Sequence, residues 1–355
     1  MHEPPETGFN QYRPSEIPPE LQTPPEPSKL GKFLSACAHA VFYVILFVGC
    51  QSFVVSAYLS AFITGDPAAL TEPDTLNLLL EQVSKKTVLI LLISNLLTIL
   101  LVCVLMRVRR RIPAWEMELY PVNPFRLYSF ALFGAAMNTF VSVTMSMLPL
   151  PEELLAEHSA QTMSLYGEMP LWVEIFSVAV VTGIAEEIIF RGLVISRLKK
   201  GMCTAAAVVI SSIIFGFAHG SVLAVMYAAL LGLLLGALYA RYHSILPGMI
   251  FHIFFNMMSY WLPEEGAVLT ILYILSIIAI PYCIWRIFIR FPVFNDVFTD
   301  VRDRIRPINE EEAAIVAQVK QHQKQGMITA EELQSLHDRW EDNRKAVKKE
   351  KRRRK

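Results

Sequence analysis

Apolar runs, each near or above the length that crosses a hydrocarbon core of about 30 Å, recur along the chain between short polar connections. In order they are Phe33 to Ile63, Thr87 to Met106, Leu127 to Leu148, Leu171 to Ile195, Cys203 to Ala218, Val222 to Ala240, Leu246 to Leu262 and Ala267 to Phe288. The pattern predicts an all-α fold: a polytopic membrane helix bundle of about eight transmembrane helices, filling residues 33–290. Only His219, Gly220 and Ser221 separate the fifth run from the sixth, which makes that boundary the weakest of the set.

The ends of the chain follow a different pattern. Residues 1–32 are polar and studded with prolines (Pro4, Pro5, Pro14, Pro18, Pro19, Pro24, Pro25, Pro27), and such a segment buries too little apolar surface to offset its chain entropy. A disordered cytoplasmic leader is expected there, with no cleavable signal pattern, so that the first span itself drives insertion. After Arg290 two helix-like stretches, Glu310 to Gln325 and Thr329 to Lys349, predict a short cytoplasmic helical appendage over 291–355. The second opens with Thr329 three residues before Glu332, a capping-box spacing. The closing run of Lys348, Lys349, Lys351, Arg352, Arg353, Arg354 and Lys355 reads as a solvated charge cluster, and no nucleic-acid partner is expected.

Composition strengthens the membrane reading. Of 355 residues, 54% are hydrophobic and 18% charged, where soluble domains carry about a quarter charged. The five cysteines fall inside apolar stretches without CxxC spacing, which argues against disulfides and against a thiolate metal site. Net charge is zero, yet its distribution is informative. Arg107, Arg109, Arg110 and Arg111 follow the second run, and Arg197, Lys199 and Lys200 follow the fourth, whereas Asp66, Glu72, Asp74, Glu81, Glu152, Glu153, Glu157, Glu168, Glu264 and Glu265 occupy the alternate connections. An excess of Lys and Arg marks the cytoplasmic side, so the alternation predicts a multi-pass protein of the cell membrane with both termini cytoplasmic.

Ionisable groups inside apolar spans are costly and tend to face a cavity or a partner. Glu186, Glu187 and Arg191 share the fourth run, His219 ends the fifth, and His252 and Asn256 share the seventh. Glu187 and Arg191, four residues apart, lie on one helical face and are expected to neutralise each other. Glu186, turned by about 100° in an α-helix, is left as the carboxylate available as a general base. His252 and Asn256 present an imidazole and an amide from one face, a pair suited to a developing oxyanion. Phe215 shares a face with His219 and is expected to wall the site. Glu186, His219 and His252 also supply oxygen and nitrogen donors of the type zinc accepts, although no HExxH spacing pairs two of them on one helix. The sequence requires no cofactor, and the reading leans to metal-free chemistry with zinc as the candidate metal.

Other polar positions read as packing. The GxxxG spacings of Gly216 with Gly220 and Gly232 with Gly236 suit close helix approach, and His39, Cys50, Asn95 and Asn138 suit interhelical contacts. His158 and His243 fall in connections and are expected in solvent.

Glu186-Glu187-Ile188-Ile189-Phe190-Arg191 fits EExxxR, Phe215-Gly216-Phe217-Ala218-His219 fits FxxxH, and His252-Ile253-Phe254-Phe255-Asn256 fits HxxxN. In this order the three resemble the signatures of the CAAX-processing and bacteriocin-processing (CPBP, or Abi) intramembrane proteases, over a core of 171–262. The resemblance implies that Glu186 and His219 activate a water while His252 and Asn256 stabilise the oxyanion. It makes Glu186, Glu187, His219, His252 and Asn256 the candidate catalytic residues, with Arg191 and Phe215 supporting them. The implied activity is endoproteolysis of a membrane-associated protein or peptide near the cytoplasmic side of the bilayer. The family is often labelled a metalloprotease, which keeps zinc open. Two competing readings are a secondary transporter and a non-catalytic membrane adaptor. Counted along ideal helices from the cytoplasmic loops, His252 is shallow, Glu186 intermediate and His219 deep, so the sites meet only if a helix is tilted, short or re-entrant.

Overall fold

Helices coincide with all eight apolar runs. In the computed structural model, residues 28–290 are described apart from 72–73, 110–116, 120–121, 123 and 168, together with a few positions between 311 and 343. In chain order the helices are α1 (Lys29–Gly65), α2 (Thr75–Lys85), α3 (Thr87–Val108), α4 (Pro124–Met147), α5 (Glu152–Met163), α6 (171–198), α7 (Thr204–Phe217), α8 (Val222–Tyr242), α9 (Leu246–Met258) and α10 (Ala267–Arg290). No strand occurs among the described residues. The all-α bundle is therefore as predicted. The leader before Ser28 and most of the 291–355 appendage lie outside the described residues.

Five of these helices, α1, α3, α4, α8 and α10, are long and apolar enough to cross a membrane. By contrast α7 has 14 residues and α9 has 13, about 20 Å each at the α-helical rise. Neither spans about 30 Å of hydrocarbon, so the ends of both sit within the thickness of the bundle. The fifth apolar run, Cys203 to Ala218, is thus matched closely by α7, whereas α9 stops at Met258, short of the Leu262 expected for the seventh. His252 lies on one of the two short helices, and His219 lies in the turn that follows the other.

The centre of the bundle is α6. Its residues from Glu187 to Ser196 are all buried, packed against Tyr43 and Phe47 of α1, Val102 and Met106 of α3, Phe215 of α7 and Tyr239 of α8. A second cluster joins Phe130 and Phe133 of α4, Phe251 and Phe255 of α9, Leu235 of α8 and Cys283 of α10. The outer faces of α1, α3 and α10 expose large apolar side chains such as Ile45, Phe53, Leu100, Ile278 and Ile289, of the kind a bilayer covers. Gly216, Gly232 and Gly236 lie where α7 meets α8: an added Cβ would approach the Val225 carbonyl, Ser212 and Val208 respectively to 3.0 Å or less.

Buried polar side chains stitch the helices together. Asn95 donates to Thr182 Oγ1 (2.9 Å), Ser177 donates to the Val88 carbonyl (2.9 Å), and Asn138 donates to Ser259 Oγ (2.8 Å). Asn95 and Asn138 thus make the interhelical bonds expected of them. His39 does not, since its Nδ1 meets the Ser35 carbonyl of its own helix at 2.7 Å. On the Arg/Lys-rich face, Lys199 meets Glu118 Oε1 (2.7 Å) and Tyr239 OH (2.8 Å), and that hydroxyl donates to Glu118 Oε2 (2.6 Å).

Candidate active site

The α6 helix does not keep one pitch. It passes through π-helical turns at Ile175–Val181 and Glu187–Ile195, flanking a short α segment, Thr182–Glu186. Wide turns of this kind concentrate at functional sites, and here they flank the two glutamates. Gly183 lets α9 come close, with Ile253 and the His252 ring within 3.7 Å of where a Cβ would be.

Both glutamates converge on one imidazole. His252 Nδ1 lies 3.2 Å from Glu187 Oε1, and His252 Nε2 lies 3.6 Å from Glu186 Oε2. The 100° separation expected from an ideal helix does not send them to different neighbours, because the ring of His252 sits between them. Glu187 also accepts from Arg191 Nη1 at 2.8 Å, with both side chains fully buried. The expected neutralising pair is present. Arg191 Nη2 donates to the Gly232 carbonyl (3.2 Å), and its guanidinium lies 4.4 Å from the Phe215 ring centroid. Glu186 differs from Glu187 in keeping 11% side-chain exposure, against 0%, which leaves it the carboxylate that reaches the cavity.

Phe215 organises the rest. Its ring is edge-on to His219 (centroids 4.5 Å apart) and to His252 (6.0 Å). His219 Nδ1 is 2.7 Å from the Phe215 carbonyl. Donation at Nδ1 leaves the lone pair of a neutral ring on Nε2. Asn256 uses one amide N–H on the Val178 carbonyl (3.2 Å), and the amide has a second.

Glu186, His219, His252 and Asn256 all line one cavity of about 610 Å³. The short α7 ends within the bundle, which closes the depth gap left by ideal-helix counting. The rest of the wall comes from the middle of α6, the adjoining ends of α3, α4, α8 and α9, and α5 above them: Thr87, Ser142, Ser146, Gln161, Tyr227, Ser259 and Tyr260 among others. These ends adjoin the acidic connections. The cavity therefore occupies the half of the bundle opposite the Arg/Lys-rich loops.

Sequence reasoning missed several wall residues. His158 was expected in solvent, yet it lines the cavity, with its Nδ1 3.4 Å from Ser221 Oγ and its ring edge-on to Tyr227. Burial holds its imidazole below the ordinary histidine value. Tyr260 donates to the Leu165 carbonyl (3.4 Å) and packs on Tyr166 at 4.9 Å. His243 is also only partly exposed. Neither His158 nor Tyr260 carries a motif signal, because their contacts depend on how α5 and the turn after it fold over the bundle.

Among the described residues no group of three or more His, Cys, Asp or Glu side chains is placed to hold a metal. Glu186, His219 and His252 line one cavity without forming a ligand set, so the chemistry proposed for them runs through no metal.

The fold and the cavity define a polytopic helical membrane protein with carboxylates and imidazoles gathered inside its bundle. Residues 168–258 match the family described as Rce1-like, type II CAAX prenyl endopeptidase, which bears out the CPBP resemblance and spans all three motifs. The match supports intramembrane CAAX-type endopeptidase activity in general. No curated protein and no solved structure matches the chain.

Proposed function

We propose that the protein is a multi-pass intramembrane endopeptidase that hydrolyses a peptide bond of a membrane-associated protein or peptide at the Glu186 cavity. The observation that carries the reading is the arrangement of Glu186 within 3.6 Å of His252 Nε2, on the wall of a cavity that His219 and Asn256 also line. A transporter needs ionisable groups along a path. A hydrolase needs a base, a water site and oxyanion donors in one place.

In this mechanism Glu186 takes a proton from a water held against His219 Nε2, and the hydroxide adds to the scissile carbonyl carbon. The oxyanion accepts from His252 Nε2–H and from the second N–H of Asn256. For His252 to donate at Nε2 while Nδ1 donates to Glu187, both nitrogens must hold a proton. Glu186 and Glu187 against Arg191 leave one net negative charge, which a protonated His252 cancels. As the carbon–nitrogen bond breaks, Glu186 returns its proton to the departing amine.

With the Arg/Lys-rich loops in the cytoplasm, both termini are cytoplasmic and the scissile segment reaches the cavity from the opposite face. The deciding experiment compares the wild type with Glu186→Gln in proteoliposomes, using an internally quenched farnesylated CAAX peptide. Loss of cleavage by about 10³-fold with unchanged folding is expected, and undiminished turnover overturns the assignment.

A further inference from the structure

His219 lies beyond the last helical residue of α7, Phe217, in the tight turn that leads to α8. Its own N–H bonds the Gly216 carbonyl (2.9 Å), and the next residue, Gly220, has φ +87°. A side chain is strained in that conformation. The turn is thus a backbone device that sets where the imidazole begins, and Nδ1 on the Phe215 carbonyl then fixes the ring.

A side chain from outside the matched segment grips the backbone of this turn. Gln161 of α5 donates through Nε2 to the His219 carbonyl and accepts through Oε1 from the Ser221 N–H at 3.2 Å. One carboxamide therefore satisfies the backbone groups on both sides of Gly220. The fit is close, since a Cβ at Gly220 would stand 2.9 Å from Gln161 Nε2. The neighbouring contact of His158 with Ser221 Oγ, the hydroxyl that caps α8 by accepting from the Ala224 N–H (3.4 Å), holds the same turn from the same helix.

We infer that Gln161 is a positioning residue for His219, acting through the backbone of the α7–α8 turn. This rests on the reading of His219 as part of the proteolytic site. Glutamine is the side chain suited to the task, because it offers a donor and an acceptor in one plane. Leucine removes both, and glutamate keeps only the acceptor.

The test uses the full-length protein in detergent and has two independent arms. In hydrogen exchange resolved by mass spectrometry, the Ser221 amide should exchange about tenfold faster in Gln161→Leu, in line with loss of one hydrogen bond of about 1.4 kcal/mol, and stay slow in Gln161→Glu. Unchanged exchange in Gln161→Leu overturns the proposal whether or not any peptide is cleaved. With the farnesylated quenched peptide, both variants should lose kcat by about 10²-fold, the scale of a misplaced catalytic group, at nearly constant KM. A raised KM at constant kcat overturns positioning in favour of direct substrate contact. If His219→Ala cleaves at the wild-type rate, the site reading itself falls. If His219→Ala is inactive while Gln161→Leu runs at full speed, only the positioning role falls.

Discussion

Glu187 Oε1 stands 3.2 Å from His252 Nδ1 and 2.8 Å from Arg191 Nη1, so one oxygen serves both a structural ion pair and the orientation of an imidazole. The two roles separate by mutation. Removing one partner of a buried pair costs about 3–5 kcal/mol, whereas replacing both by apolar groups of similar size is often neutral or stabilising. Glu187→Met alone should therefore lower the thermal unfolding midpoint sharply, and the double variant Glu187→Met, Arg191→Met should restore it. Cleavage should stay lost in both, because His252 has no carboxylate at Nδ1 in either. A double variant that regains activity would show that Glu187 serves Arg191 alone.

Gly248 supplies a second handle on the same carboxylate. A Cβ there would lie 2.6 Å from Glu187 Oε2, a buried oxygen with no hydrogen-bond partner among the described residues. Overpacking of this type costs about 1–3 kcal/mol, and the relief available is rotation of the Glu187 carboxylate away from His252. Gly248→Ala is expected to lose far more activity than stability, measured as kcat beside the unfolding midpoint. Equal, proportionate losses would point to general disruption of α9.

Much of this was legible in the chain. Apolar pattern and length alone placed a helix on each of the eight runs, five of them long enough to cross a membrane, and three short motifs supplied Glu186, His219, His252 and Asn256 of the cavity wall. What the pattern hid has physical causes. An ideal 3.6-residue period sends Glu186 and Glu187 to different neighbours, and only the π-helical turns of α6 and the insertion of the His252 ring bring both to one partner. The depth mismatch between His219 and His252 came from counting along ideal helices, and of the ways left open to close it the structure shows short helices, α7 with 14 residues and α9 with 13. Gln161 and His158 sit on α5, whose sequence is merely polar and helical, and nothing local announces that it folds over the turn after α7. The side of the bundle on which the cavity lies was likewise invisible until the wall residues could be assigned to helix ends.

Donor geometry makes a prediction about metals. The described His, Cys, Asp and Glu side chains include no group of three placed as ligands, and His252 Nδ1 is already engaged by Glu187. Three protein ligands and an open position are the usual catalytic zinc arrangement. Cleavage should survive prolonged treatment with a strong chelator, and the purified protein should contain far less than one zinc per chain by elemental analysis. Chelator-sensitive cleavage that zinc restores would mean that the site closes around a metal in a different arrangement from this one.

His243 tests the opposite face of the bundle. It follows α8 with φ +48°, its N–H bonded to the Tyr239 carbonyl at 2.8 Å. Burial first, and then the Lys199 ammonium, hold its imidazole below the ordinary value of 6.5, with Glu118 opposing them. A histidine whose pKa is lowered by folding is kept neutral in the native state, while the unfolded chain takes up a proton as the pH drops. Stability from this residue is therefore present above pH 6.5 and is lost as the pH falls through that value toward the lower native pKa. Asparagine tolerates the left-handed conformation at a helix end and does not titrate. His243→Asn should match or exceed the wild-type unfolding midpoint at neutral pH and fall less steeply with acidification. Parallel pH curves for the two proteins would place the acid sensitivity elsewhere, and a large loss at neutral pH would show that the imidazole makes a contact the fold depends on.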